Sequence, residues 1–156
     1  LKMKQDKFTL VPDDDDAITS NSEWNTKKNQ NFLKEINSEF TASGIRTSIF
    51  VDPINEMVEY AKLSGADRIE LYTEPYASNF HDDPTRSIKG YIEAANEAVK
   101  LGIGINAGHD LNLRNLAYLR HSLPQLDEVS IGHALVCDAL SFGLENTIQM
   151  YLRELL

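Results

Sequence analysis

Apolar residues along the chain alternate between short runs and stripes of helical period. Phe8-Thr9-Leu10-Val11, Thr47-Ser48-Ile49-Phe50-Val51, Arg68-Ile69-Glu70-Leu71-Tyr72, Ile103-Gly104-Ile105-Asn106-Ala107 and Val129-Ser130-Ile131 are runs of strand length. Between them, apolar side chains recur three or four residues apart and predict helices with one buried face. These stripes are Phe32, Leu33, Ile36 and Phe40; Ile54, Met57, Val58 and Ala61; Ile88, Ile92, Ala95 and Val99; and Leu113, Leu116 and Leu119. Residues 134–142 and 144–155 read as two more helices broken at Gly143.

Punctuating residues set the expected boundaries. Pro12 stops the first strand, and Ser20-Asn21-Ser22-Glu23 has the spacing of a capping box, so a helix is expected to follow it. Asp52-Pro53 has the order of an N-cap followed by a first helical proline. Gly44, Gly65 and Gly102 fall where helices end. Residues 73–86, with Pro75 and Pro84, read as a polar loop.

Five strand–helix units in one order imply an α/β fold with a parallel sheet and helices outside it. No shift in composition marks a boundary, so residues 1–156 are expected to form a single domain. Two architectures fit. One is a five-strand doubly wound sheet. The other is part of a (β/α)₈ barrel, which needs eight units and about 250 residues.

Composition narrows the function classes. Lys and Arg number 15 against 24 Asp and Glu, a formal net charge of −9. Such a chain repels a phosphate backbone, so no nucleic-acid partner is expected. No apolar run reaches the roughly 18 to 20 residues of a membrane span, and a cytoplasmic protein is expected. The single cysteine, Cys137, rules out an internal disulfide framework and is expected in the core.

In either architecture, ligands bind beyond the C-terminal ends of the strands. Glu70 stands between Ile69 and Leu71. Pointing inward it would be desolvated and suited to acid–base work or to stabilising a cation; pointing outward it would pair with a helix lysine. In Asn106-Ala107-Gly108-His109-Asp110, Gly108 permits a tight turn that presents His109, a side chain able to donate a proton near neutral pH. Asp110 can orient the imidazole, cap a helix or touch substrate. In Ser130-Ile131-Gly132-His133-Ala134 a strand runs through glycine into a helix, a junction that exposes backbone N–H groups to an anion. Asp13-Asp14-Asp15-Asp16 is either a hard-cation site or a solvated loop. Thr19 and Ser20 can hold a ligand by their hydroxyls or simply cap a helix. His81 and His121 read as surface residues, and Tyr72 and Tyr76 as packing or lining. No carboxylate at ligand spacing accompanies His109 and His133, so no metal is expected.

Five segments then occur in a meaningful order: Phe8 to Pro12, Gly44 to Asp52, Gly65 to Thr73, Asn106 to Asn112 and Ser130 to Leu135. Together they resemble the C-terminal two-thirds of the pyridoxine 5′-phosphate synthase family. The resemblance implies a (β/α)₈ TIM barrel, here as five βα units lacking the first three. It implies condensation of 3-amino-2-oxopropyl phosphate with 1-deoxy-D-xylulose 5-phosphate, giving pyridoxine 5′-phosphate, phosphate and water. It implies no cofactor, and assembly into homo-octamers. By resemblance His109 is the proton donor and Glu70 the transition-state stabiliser. The resemblance places Thr19 where the family holds deoxyxylulose phosphate, and Asp110, Gly132 and His133 where it holds the amino-ketone phosphate.

The family's first three units, with an Asn-x-Asp-His motif, a proton-accepting His and a proton-accepting Glu, have no counterpart here. The expectation is a chain that turns over little alone and exposes an open barrel edge. The alternative is a non-catalytic α/β module that binds a phosphorylated small molecule.

Overall fold

The structure is a computed structural model and describes residues 5–12 and 23–156. Among these residues five parallel strands follow one another in sequence and in space: β1 (Lys7–Leu10), β2 (Arg46–Val51), β3 (Arg68–Tyr72), β4 (Gly104–Gly108) and β5 (Glu128–Ser130). A doubly wound sheet reverses its strand order at a switch point. This sheet never does, which selects the barrel reading: it is a half-barrel.

The strands alternate polar and apolar positions. Ile49, Val51, Ile69, Leu71, Ile105 and Ala107 point outward and form the core with the helices. Burying each large aliphatic side chain contributes about 1.5–3 kcal/mol. The opposite positions line the concave side: Thr9, Arg46, Ser48, Glu70, Asn106 and Ser130 share one cavity wall. The sheet curls enough for its edge strands to meet through their side chains. Lys7 Nζ on β1 lies 3.0 Å from a Glu128 carboxylate oxygen on β5, and Arg46 reaches the other oxygen at 2.7 Å.

Among the described residues seven helices cover the outer side: α1 (Gln30–Ala42), α2 (Asn55–Leu63), α3 (Glu74–Asn79), α4 (Pro84–Leu101), α5 (Leu116–Ser122), α6 (His133–Phe142) and α7 (Leu144–Glu154). Helix α4 starts at an Asp83 cap, whose carboxylate accepts from Arg86 N–H at 2.9 Å. It ends at Gly102 in the left-handed conformation, φ +63°.

Four expectations need correction. Helix α1 begins at Gln30, seven residues after Glu23. The chain at residue 24 is instead tied to the sheet, since Trp24 donates its backbone N–H to Phe50 O and its indole N–H to Leu10 O. Asp52 does not cap α2, whose N-cap is Ile54, so the Asp52 carboxyl remains at the end of β2. The polar loop at residues 73–86 contains helix α3, anchored by the fully buried Tyr76, whose hydroxyl donates to Asn115 O at 2.6 Å. Cys137 is exposed, because α6 has no buried residue.

Candidate active site

The C-terminal ends of β1, β3, β4 and β5 open into a cavity of about 420 Å³. Glu70, His109, Asp110, Gly132 and His133 all line it, so five of the six site residues read from the sequence converge. The sixth, Thr19, lies outside the described residues, as do Ser20 and the four consecutive aspartates at 13–16.

Glu70 projects inward from the middle of β3 and is 7% exposed. Its carboxylate accepts from the Thr9 hydroxyl of β1 at 3.0 Å and from the Ser130 hydroxyl of β5. Burial raises its pKa. The two hydroxyl hydrogen bonds oppose the rise, Glu128 adds to it and Lys7 opposes it, and the net direction is upward. A carboxyl so placed can hold a proton or face a developing cation at little reorganisation cost.

His109 follows β4 with φ +94°, and Asp110 follows with φ +55°. A left-handed backbone is rare for residues with a Cβ. Here it turns the imidazole over the strand ends, where Tyr72 meets it edge-on at 5.0 Å between ring centroids. Phe50 in turn meets Tyr72 at 5.3 Å. His109 Nδ1 lies 3.1 Å from Asp110 Oδ2, and the Asp110 side chain remains half-exposed. The expectation that Gly108 makes the tight turn is corrected. Gly108 is not among the glycines with positive φ, and the turn is made by His109 and Asp110. Gly108 serves Glu70 instead, because a Cβ there would stand 2.6 Å from Glu70 Oε1.

Across the cavity, Gly132 is the N-cap of α6, with no side chain capping the helix. The first-turn N–H groups of an α-helix have no intrahelical partner, and they carry the positive end of its dipole. Those of α6 sit at the cavity wall formed by Gly132, His133 and Ala134. His133 is exposed at the rim.

Acidic groups stand beside His109. Burial raises the Glu23 pKa, and neighbouring Asp52 adds to it; burial also raises that of Asp52. The sequence reading passed over both as capping residues. It also missed Thr9 and Ser130 as partners of Glu70. Their signal was present, as polar residues at alternate positions of otherwise apolar strands. Tyr76 proves to be packing, and His81 and His121 are exposed. Among the described residues no group of three His, Cys, Asp or Glu could hold a metal ion, and no helix is long and apolar enough to cross a membrane.

The family model described as "Pyridoxal phosphate biosynthesis protein PdxJ" matches residues 1–156. The chain belongs to this family. Pyridoxine 5′-phosphate synthase of Cytophaga hutchinsonii is 63% identical over 98% of this chain, and that of Bacteroides fragilis 59% identical over 97%. The chain spans 64% of the length of each. Two solved structures resemble the fold alone. HMG-CoA lyase from Brucella melitensis aligns at 20% identity and TM-score 0.52, over 78% of this chain and 47% of that one. The BexX/CysO complex of Amycolatopsis orientalis aligns at 19% and 0.51, over 81% and 49%. Neither likeness bears on chemistry. PdxJ membership and the half-barrel agree, since five βα units leave a barrel open for the length the relatives add.

Proposed function

We propose that this chain supplies the proton-donating and phosphate-binding part of a pyridoxine 5′-phosphate synthase. The single observation that carries this reading is one cavity shared by Glu70, His109 and the N-terminus of α6 in a chain of the PdxJ family.

The substrates are 3-amino-2-oxopropyl phosphate and 1-deoxy-D-xylulose 5-phosphate. Joining an amine to a ketone, losing water and phosphate and closing a ring all require proton transfers, which His and Glu side chains can carry. His109 donates to a departing oxygen, with Asp110 beside its ring. Glu70 stabilises positive charge on nitrogen as it develops, from a site too dry to screen it. Gly132 and His133 hold the phosphate of the amino-ketone. In a protein of net charge −9, the local dipole of α6 is what attracts a phosphate, since no broad positive field exists. Thr19 is assigned to the deoxyxylulose phosphate on the resemblance alone. No cofactor takes part in this scheme. The homo-octamer and cytoplasmic location of the family reading belong to the same proposal.

The test joins this chain to the portion of the Cytophaga hutchinsonii relative that it does not span. Formation of pyridoxine 5′-phosphate from the two substrates is then measured by chromatography. The expected result is turnover that His109→Ala abolishes while inorganic phosphate still binds. A folded, joined protein that binds phosphate but forms no product would favour the non-catalytic module.

A further inference from the structure

His109 and Asp110 are the non-glycine residues with positive φ among those described. Two adjacent residues in this region persist only where surrounding contacts over-determine them. The contacts here are specific, and they come from two different elements. Thr73, the residue after β3, is fully buried. Its backbone N–H donates to Gly108 O at 2.9 Å. Its hydroxyl proton is shared between Gly108 O at 2.7 Å and His109 O at 2.5 Å. Asn115, the N-cap of α5, is 2% exposed. Its Nδ2 donates to Asp110 O at 3.2 Å, while its Oδ1 accepts from Asn112 N–H at 2.8 Å. Asn115 is itself held, because its carbonyl accepts from the buried Tyr76 hydroxyl. Three consecutive carbonyls, those of residues 108, 109 and 110, are thus all taken by two buried polar side chains.

We propose that Thr73 and Asn115 are positioning residues that clamp this left-handed turn and so hold the His109 imidazole over the cavity. Neither side chain lines the cavity, so their action runs through His109. The inference rests on the reading of His109 as the proton donor, although the clamp itself can be tested without turnover. The hydroxyl proton of Thr73 is the discriminating atom. Valine keeps the shape and removes that proton; serine keeps the proton and removes only the methyl.

The experiment is proton NMR of the four histidine rings in this chain, compared at one pH in Thr73→Val, Thr73→Ser and the unsubstituted protein. Ring current from Tyr72 marks the His109 resonance, and His81 and His121 are internal controls. In Thr73→Val the expected result is displacement of the His109 resonance, as the ring leaves the edge of Tyr72. The controls stay in place, and Thr73→Ser keeps the unsubstituted spectrum. Asn115→Asp retains the acceptor for Asn112 but loses the donor to Asp110, and it is expected to displace His109 in the same way. It decides the matter if Thr73→Val does not fold. An unchanged His109 resonance in a folded variant overturns the clamp. So does a Thr73→Ser spectrum as displaced as that of Thr73→Val. Failure of both Thr73→Val and Asn115→Asp to fold also overturns it, because the pair would then hold the fold and not the turn. Inorganic phosphate added to the same samples separates the two readings. It is expected to shift His133 with or without the Thr73 hydroxyl, and if it leaves His133 unmoved in the unsubstituted chain, the anion site fails while the clamp stands.

Discussion

Glu70 and Gly108 sit on adjacent strands, and the carboxylate of the first occupies the space where a side chain of the second would stand. A Cβ on Gly108 would meet Glu70 Oε1 at 2.6 Å and Ser130 Cβ at 3.0 Å. The glycine therefore makes room for a buried acid between β3 and β5. Gly108→Ala is expected to destabilise the chain by about 1–3 kcal/mol, the usual cost of overpacking. In a Glu70→Ala background the same substitution should cost clearly less, because the obstructing oxygen is gone. Urea unfolding of the four proteins of this double-mutant cycle measures the difference. Equal costs in both backgrounds would show that Ser130 and not Glu70 sets the requirement.

The raised pKa of Glu70 makes stability depend on pH. A carboxyl that binds its proton more tightly in the folded chain favours folding most fully below its unfolded value, near 4.5. That advantage is lost as pH rises through the raised folded value. Glu70→Gln removes the dependence. The substituted chain is expected to gain thermal stability over the original at pH 8, with a smaller gain at pH 4.5. A gain of the same size at both pH values would place the cause in packing, not ionisation.

Glu128 runs the other way. Burial pushes its pKa up, but hydrogen bonds from Arg46 and Lys7 outweigh this, and the carboxyl titrates below its ordinary range. Its contribution is present above the unfolded value and lost as pH falls through the depressed folded one. Glu128→Gln should lower stability at neutral pH by on the order of 1 kcal/mol, since the pairs are partly exposed. It leaves Lys7, Arg46 and Arg68 facing one another across the concave side. Melting in low and high salt checks this, since 1 M salt screens charges beyond about 3 Å. The deficit should shrink as salt rises and close at low pH.

The phosphate site separates backbone from side chain at one position. His133 is the first residue of α6, where proline is tolerated because its missing N–H would be unpaired within the helix anyway. His133→Ala keeps the N–H and loses the imidazole; His133→Pro loses both. Inorganic phosphate, followed by calorimetry, is expected to bind His133→Ala more weakly than the original chain. It should bind His133→Pro about tenfold more weakly again, the equivalent of one hydrogen bond of ~1.4 kcal/mol to a charged group. Equal affinity for the two variants would show that the N–H of residue 133 takes no part in holding the phosphate.

Local spacing in the sequence determined the kinds and order of elements. The backbone period is fixed by residue geometry, so Arg68 to Tyr72 reads as a strand and Gly143 as a break without any knowledge of contacts. The same period placed Glu70 within a strand and put the two Gly-His pairs at strand ends, and the five matched segments carried the family. Tertiary structure alone decided what depends on residues far apart in the chain. It displayed the sequential strand order of the barrel, which the periodicity left open beside a doubly wound sheet and only the family resemblance favoured. It turned Glu70 inward, where Thr9, 61 residues away, donates to it. It moved the start of α1 to Gln30 by tying Trp24 to β1 and β2. It also shifted the left-handed turn from Gly108 to His109 and Asp110. A glycine is locally the easier choice for such a turn, but hydrogen bonds from Thr73 and Asn115 hold the costlier conformation, and no local pattern encodes them.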